Sequence, residues 1–104
     1  MPFHMDVSEG RIRLGIDGGL DLQELHQLLL STTSLLEQDG VIDLHLDLTG
    51  APTMDRTTLI ALLDIQECAQ AQGRKLVLLN PSTHLQHVLK LTKLDRKFDI
   101  RLEA

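Results

Sequence analysis

Aromatic residues are almost missing from this chain. Phe3 and Phe98 are the only two, and there is no Trp or Tyr. The interior must therefore be built from Leu, Ile and Val. Cysteine is scarcer still. Cys68 is alone, which excludes a disulfide framework or a cysteine-based zinc site within one chain and fits a reducing compartment. Basic charge is also short, with a net charge of −5. A nucleic-acid binder needs a basic face to neutralise phosphates, and an anionic membrane surface favours the same sign, so neither partner is expected. No apolar run approaches the roughly 20 residues that span a bilayer. Met1-Pro2-Phe3-His4 shows no basic stretch leading into an apolar one, so no signal peptide is expected and the cytoplasm is the expected location.

Chemical signatures are equally sparse. There is no Gly-x-Ser-x-Gly elbow, and Gly18-Gly19 is followed by none of the glycine and Gly-Lys-Ser/Thr pattern that cradles phosphates. Cys68 falls well inside a helical pattern, where a small packing residue is the simpler reading. His84 and His87 are three apart on one helical face, but no third ligand accompanies them. Asp43, His45 and Asp47 share one face of a strand, which is also what the wet side of a half-buried strand looks like. Arg11, Arg13 or Arg101 on neighbouring strands are candidates to balance them. No metal, no cofactor and no enzymatic activity are expected.

What remains is a regular alternation of patterns over 104 residues, 42% of them apolar, enough for one domain spanning residues 1–104. Phe3, Met5 and Val7, then Ile12, Leu14 and Ile16, alternate with polar residues around Ser8-Glu9-Gly10 and predict a hairpin of two half-buried strands. Asp21 and Glu24 form a capping-box pattern, followed by a stripe of Leu22, Leu25, Leu28, Leu29 and Leu36 that ends at Asp39-Gly40. Ile42, Leu44, Leu46 and Leu48 alternate with Asp43, His45 and Asp47 as a strand. A second helix is expected from Asp55–Thr58 through Leu59, Leu62, Leu63 and Ala69 to Gly73. Leu76-Val77-Leu78-Leu79 predicts a more central strand. Asn80-Pro81-Ser82 leads into a third helix carrying Leu85, Val88, Leu89 and Leu91, and Phe98, Ile100 and Leu102 predict a last strand.

The order β-β-α-β-α-β-α-β implies parallel strands with helical crossovers. Helices on both faces would require inner strands apolar on both sides, yet three strands carry charged outer positions. The expected fold class is therefore α/β, two-layered, with a mixed four- to five-stranded sheet and helices packed on one face. The edge strands read as short and charged, which favours a monomer.

The segment Asp47-Leu48-Thr49-Gly50-Ala51-Pro52-Thr53-Met54-Asp55-Arg56-Thr57-Thr58-Leu59 joins the C-terminal end of a parallel strand to a helix N-terminus, where sites in open α/β sheets concentrate. A hydroxyl there is either a cap or a phosphoacceptor. A phosphate would meet free N–H groups and the positive end of the helix dipole, adding about −1.5 to −2 charge units without breaking the helix.

This segment resembles the STAS domain, the family of bacterial anti-sigma-factor antagonists and sulfate-transporter tails. The family pattern is Asp-Leu-Ser, a short loop, then Met-Asp-Ser-Ser/Thr-Gly-Leu. Here it reads Asp47-Leu48-Thr49, then Met54-Asp55-Arg56-Thr57-Thr58-Leu59. Gly18-Gly19-Leu20-Asp21, Gly73-Arg74-Lys75-Leu76-Val77-Leu78, and Leu89-Lys90-Leu91-Thr92-Lys93-Leu94-Asp95-Arg96-Lys97-Phe98 resemble the family's other landmarks in order. The resemblance implies a partner-switching protein of transcription regulation. The unmodified form binds an anti-sigma factor that is also a serine/threonine kinase. Phosphorylation ends that interaction, and a PP2C-type phosphatase restores it. By position the phosphoacceptor is Thr57, with Asp21, Asp55, Arg56, Thr58 and Ile60 as partner-binding positions. Arg56 and Thr58 stand where the family has Ser and Gly. They motivate the alternative of a non-phosphorylated STAS adaptor within a larger assembly such as a membrane transport complex.

Overall fold

A computed structural model describes residues 3–18, 21–50 and 56–103. Five strands and three helices follow in order: β1 (Phe3–Ser8), β2 (Arg11–Asp17), α1 (Leu22–Leu36), β3 (Asp43–Gly50), α2 (Arg56–Ala71), β4 (Lys75–Leu79), α3 (Thr83–Leu91) and β5 (Asp99–Arg101), with a short 3-10 turn at Leu94–Arg96. The strands form one sheet in the order β1-β2-β3-β4-β5. β1 pairs antiparallel with β2, and every later neighbour pair is parallel. The α/β mixed sheet is thus the one the patterning implies.

Period-two alternation decides the two faces. Ile12, Leu14 and Ile16 of β2, Leu44, Leu46 and Leu48 of β3, and Leu76 and Leu78 of β4 share one core with Leu25, Leu28 and Leu36 of α1, Leu62 and Ile65 of α2, and Leu85 and Leu89 of α3. All three helices therefore bury their stripes against the same face. The intervening residues face the other way. Here the register sets Arg11 beside Asp43 and Lys75, Arg13 beside His45 and Val77, and Gly15 beside Asp47 and Leu79. Val77 and Leu79 are fully buried even on this helix-free side. Charged neighbours flank them in register, Asp99 next to Val77 and Arg101 next to Leu79. Long charged side chains can lie over apolar surface while their heads stay wet.

Of the arginines, Arg11 faces Asp43 at 4.0 Å and Arg13 reaches diagonally to Asp47 at 2.8 Å. Arg101 pairs instead with Asp99 in its own strand, and Lys75 joins that pair at 3.0 Å. The lysine hydrogen bond is the largest reason that the Asp99 carboxyl titrates below its ordinary range. Gly15 leaves room on this face for the His4 ring, whose atoms a Cβ at Gly15 would strike.

Several expectations are corrected. Leu22 heads the α1 stripe in sequence but is 76% exposed, because it lies in the first turn, beyond the edge of the core. Ile42 precedes β3 and is exposed, and Leu91 at the end of α3 and Leu102 after β5 are exposed as well. The buried stripe of α2 is Thr58, Ala61, Leu62, Ile65 and Ala69, with Leu59 and Leu63 only partly covered. β1 is not half-buried. Met5 and Val7 point to the helix side yet stay exposed, since no helix covers the sheet's outer edge. After α3, Lys93 takes φ of +61°, a left-handed conformation that normally favours glycine. This is where the resemblance expects one.

Candidate functional site

The C-terminal end of β3 is tied down before the chain leaves for α2. Asp47 Oδ1 accepts from the Thr49 hydroxyl at 2.6 Å and from the Thr49 N–H at 3.0 Å. That same hydroxyl oxygen accepts from Asn80 Nδ2 at 3.0 Å, at the end of β4. Asn80 Oδ1 in turn accepts the Glu103 N–H at 2.6 Å, and the Asn80 N–H donates to the Arg101 carbonyl. The Asp-Leu-Thr motif thus has a structural use: its carboxylate closes a local turn, and its hydroxyl links neighbouring strand ends. Burial pushes the Asp47 carboxyl upward, but bonds from Thr49 and from the Arg13 guanidinium outweigh it and hold the group below its ordinary value. The Gly18 N–H donates to the Gly50 carbonyl at 2.7 Å, joining the ends of β2 and β3. At Gly50 a Cβ would run into the Asp17 carboxylate, so only glycine fits there without displacement.

α2 opens at Arg56, so Thr57 lies in its first turn, where backbone N–H groups lack intrahelical acceptors. Thr57 is exposed, and its neighbour Thr58 is 5% exposed. This corrects one partner-binding expectation. Thr58 shares the inward stripe of α2, so its side chain belongs to the core and not to a docking face. Arg56 is exposed. Asp55 lies outside the described residues, as do Gly19, Leu20 and the segment 51–54.

Asp21 is the N-cap of α1. Its carboxylate accepts the Glu24 N–H at 2.7 Å, and Glu24 Oε1 accepts the Asp21 N–H at 3.1 Å, completing a capping box. The cap fixes the start of α1, and α1 with α2 encloses an apolar groove of about 710 Å³. Leu22, Leu25 and Leu29 line it from α1, and Thr57, Ile60 and Ala61 from α2. Its polar members are Gln23, His26 and Asp64. Thr57 and Ile60, singled out from the sequence, therefore meet in one groove, and Asp21 adjoins it through Leu22. Sequence reasoning missed Leu22, His26, Leu29 and Asp64 as site residues. The available signal was a leucine content in α1 greater than one buried stripe can use.

The other candidates lie elsewhere. His84 and His87 are exposed on α3. Among the described residues no group of three or more His, Cys, Asp or Glu stands close enough to hold a metal ion. Cys68 is partly buried, and burial together with Glu37 raises its thiol above the ordinary value, which keeps it protonated. No described helix is long and apolar enough to cross a membrane.

The fold has close counterparts among solved structures. The anti-sigma factor antagonist SpoIIAA in its unphosphorylated form superposes with a TM-score of 0.79 at 18% identity, over 98% of this chain and 88% of that one. SpoIIAA of Bacillus in its phosphorylated form gives 0.81 at 18% identity, covering 98% and 91%. TM1081 from Thermotoga maritima gives 0.84 at 20% identity, covering 98% and 86%. At such identities the likeness speaks for the fold. No curated protein matches the chain in direct sequence comparison. The family model of the STAS domain, however, matches residues 3–104, and with that span this chain belongs to the STAS domain family.

Proposed function

We propose that this protein is an anti-sigma factor antagonist acting as a phosphorylation-controlled binding switch, not as a catalyst. Its partner is an anti-sigma factor with kinase activity, its phosphoacceptor is Thr57, and a PP2C-type phosphatase resets it in the cytoplasm. The observation that carries this reading is the position of Thr57, exposed in the first turn of α2 and on the wall of an apolar groove.

The physics of the switch follows from that position. Unmodified, the groove offers Leu22 and Ile60, both more than half exposed, to an apolar segment of the partner. A phosphate on Thr57 is compatible with the fold, because the helix start supplies N–H groups and a favourable dipole. It places about −1.5 to −2 charge units at the groove wall, and any apolar partner must then desolvate them or dock elsewhere. The inward turn of Thr58 supports this reading over the unphosphorylated adaptor. The residue that replaces the motif's glycine adds no bulk to the exposed face beside Thr57. Arg56, exposed one residue earlier, is a cation within reach of the same corner by sequence.

The test is incubation with the cognate kinase and ATP, followed by intact-mass measurement. The expected result is one added phosphate, absent in Thr57→Ala, and weakened kinase binding by Thr57→Glu. Unchanged phosphorylation of Thr57→Ala, or undiminished binding by Thr57→Glu, would remove Thr57 from the mechanism.

A further inference from the structure

β1 is an edge strand six residues long, and only its inner side is paired. Which backbone groups face outward follows from the hairpin. Glu9 and Gly10 both have positive φ and connect Ser8 to Arg11, the signature of a tight two-residue turn whose flanking pair is hydrogen-bonded. The β3 side of β2 agrees. The Gly10 carbonyl accepts the Ile42 N–H, and the Gly18 N–H donates to Gly50, so even-numbered backbone groups of this strand point toward β3. Arg11, Arg13 and Gly15 therefore use theirs on β1, where Ser8, Asp6 and His4 answer them. The N–H and C=O groups of Phe3, Met5 and Val7 are left facing outward from the sheet.

The side chains of those same residues face the helix side. Met5 is 51% and Val7 60% exposed, and Phe3 and Met5 line a groove shared with Leu28, Ser31 and Leu35 of α1. Edge strands that avoid partners are short, charged or bulged. This one is a regular, unbulged strand with a row of exposed apolar side chains.

We infer that β1 pairs antiparallel with β1 of a second copy of this chain, about a two-fold axis through Met5, to form one continuous sheet. Charge selects both the occupant and the register. With Met5 opposite the partner's Met5, the outward-facing groups of Phe3 meet those of the partner's Val7, and the reverse pair forms by symmetry. His4 then stands opposite the partner's Asp6, and Asp6 opposite the partner's His4. Shifting the axis by one residue either way sets Asp6 against its own copy or His4 against its own copy, and like groups directly opposite are unfavourable. Slipping the pairing so that even-numbered residues meet odd-numbered ones offers no matched donors and acceptors. On the helix side the preferred register sets Phe3 beside the partner's Val7 and covers the exposed Met5. Residues directly across an antiparallel ladder share a face, so both copies carry their helices on the same side. Their α1–α2 grooves then open in the same direction, a bivalent arrangement for a partner that is itself two-fold. The expectation of a monomer from short, charged edges is replaced by this reading, because the edge is neither.

The inference is independent of Thr57 phosphorylation and is tested separately. Light scattering with size-exclusion chromatography should show the mass rising with concentration from 11.6 kDa toward twice that value. Met5→Pro should hold the mass at the single-chain value with unchanged circular dichroism, since the Met5 N–H is not used within the chain. Met5→Lys, which sets like charges across the axis, should do the same if the proline variant does not fold. In a Cys68→Ser background, Met5→Cys should oxidise to a disulfide-linked dimer, because the paired Cα atoms lie about 5.5 Å apart. Val7→Cys should not, with its two copies about 14 Å apart along the strands. A mass fixed at one chain throughout, a dimer that survives both Met5→Pro and Met5→Lys, or equal cross-linking by Val7→Cys would overturn the inference.

Discussion

Leu22, in the first turn of α1, and Thr57, in the first turn of α2, line opposite walls of the same groove. Two helix starts, each at the same end of the parallel sheet, thereby bring an exposed leucine next to a hydroxyl at the helix end that accommodates negative charge best. Binding and its control are placed within one small surface.

The groove should be separable from the fold. Leu22→Asp and Ile60→Asp change residues that are 76% and 51% exposed, so unfolding free energies should stay within about 0.5 kcal/mol of the parent. If these side chains anchor the kinase, each change should weaken its binding by about 2 kcal/mol or more, roughly 30-fold. Calorimetric titration alongside urea unfolding checks both numbers. Intact affinity in both variants would move the docking surface away from this groove.

Asp21 combines a structural duty with a proposed contact, and two substitutions divide them. Asp21→Ala removes the acceptor of the Glu24 N–H and should cost about 1 kcal/mol in stability. Asp21→Asn keeps a good cap and removes the charge. A loss of kinase binding in the asparagine variant, with stability retained, identifies the charge as the contact. A loss confined to the alanine variant identifies the cap alone.

Asp47 makes stability pH-dependent in a definite direction. Its carboxyl titrates below the ordinary value of 3.8 in the folded protein. The unfolded chain thus takes up the proton first as pH falls, and the stabilisation present above about pH 4 is lost as pH drops through the folded-state value. Asp47→Asn should be less stable than the parent at neutral pH, with the gap narrowing in acid. Equilibrium unfolding measured from pH 7 down to about pH 3 follows the difference. A gap that does not change over that range would show that Thr49 and Arg13 do not bias the ionised form.

The architecture was largely legible because period-two and helical stripes report burial directly. Leu44, Leu46 and Leu48 alternate in sequence and are buried in the structure, and the Asp21–Glu24 box forms as spelled. The adjacent threonines were less legible. Thr58 was grouped with the docking residues, although its spacing to Ala61, Leu62 and Ile65 places it on the buried stripe of α2. That phase was present in the sequence but competed with a second reading through Leu59 and Leu63. Met5 and Val7 show the opposite case. Their alternation matches that of Ile12 and Leu14, yet they are exposed.

By itself the sequence determined the element order, the single core, the cap of α1 and the family, since each rests on local periodicity or short motifs that act within a few residues. The tertiary structure alone decided which apolar residues remain uncovered: Leu22 and Ile60 at the groove, Met5 and Val7 at the edge. Exposure depends on where a helix ends relative to a sheet assembled from distant segments. No local pattern specifies which side chains lie beyond the last covering neighbour.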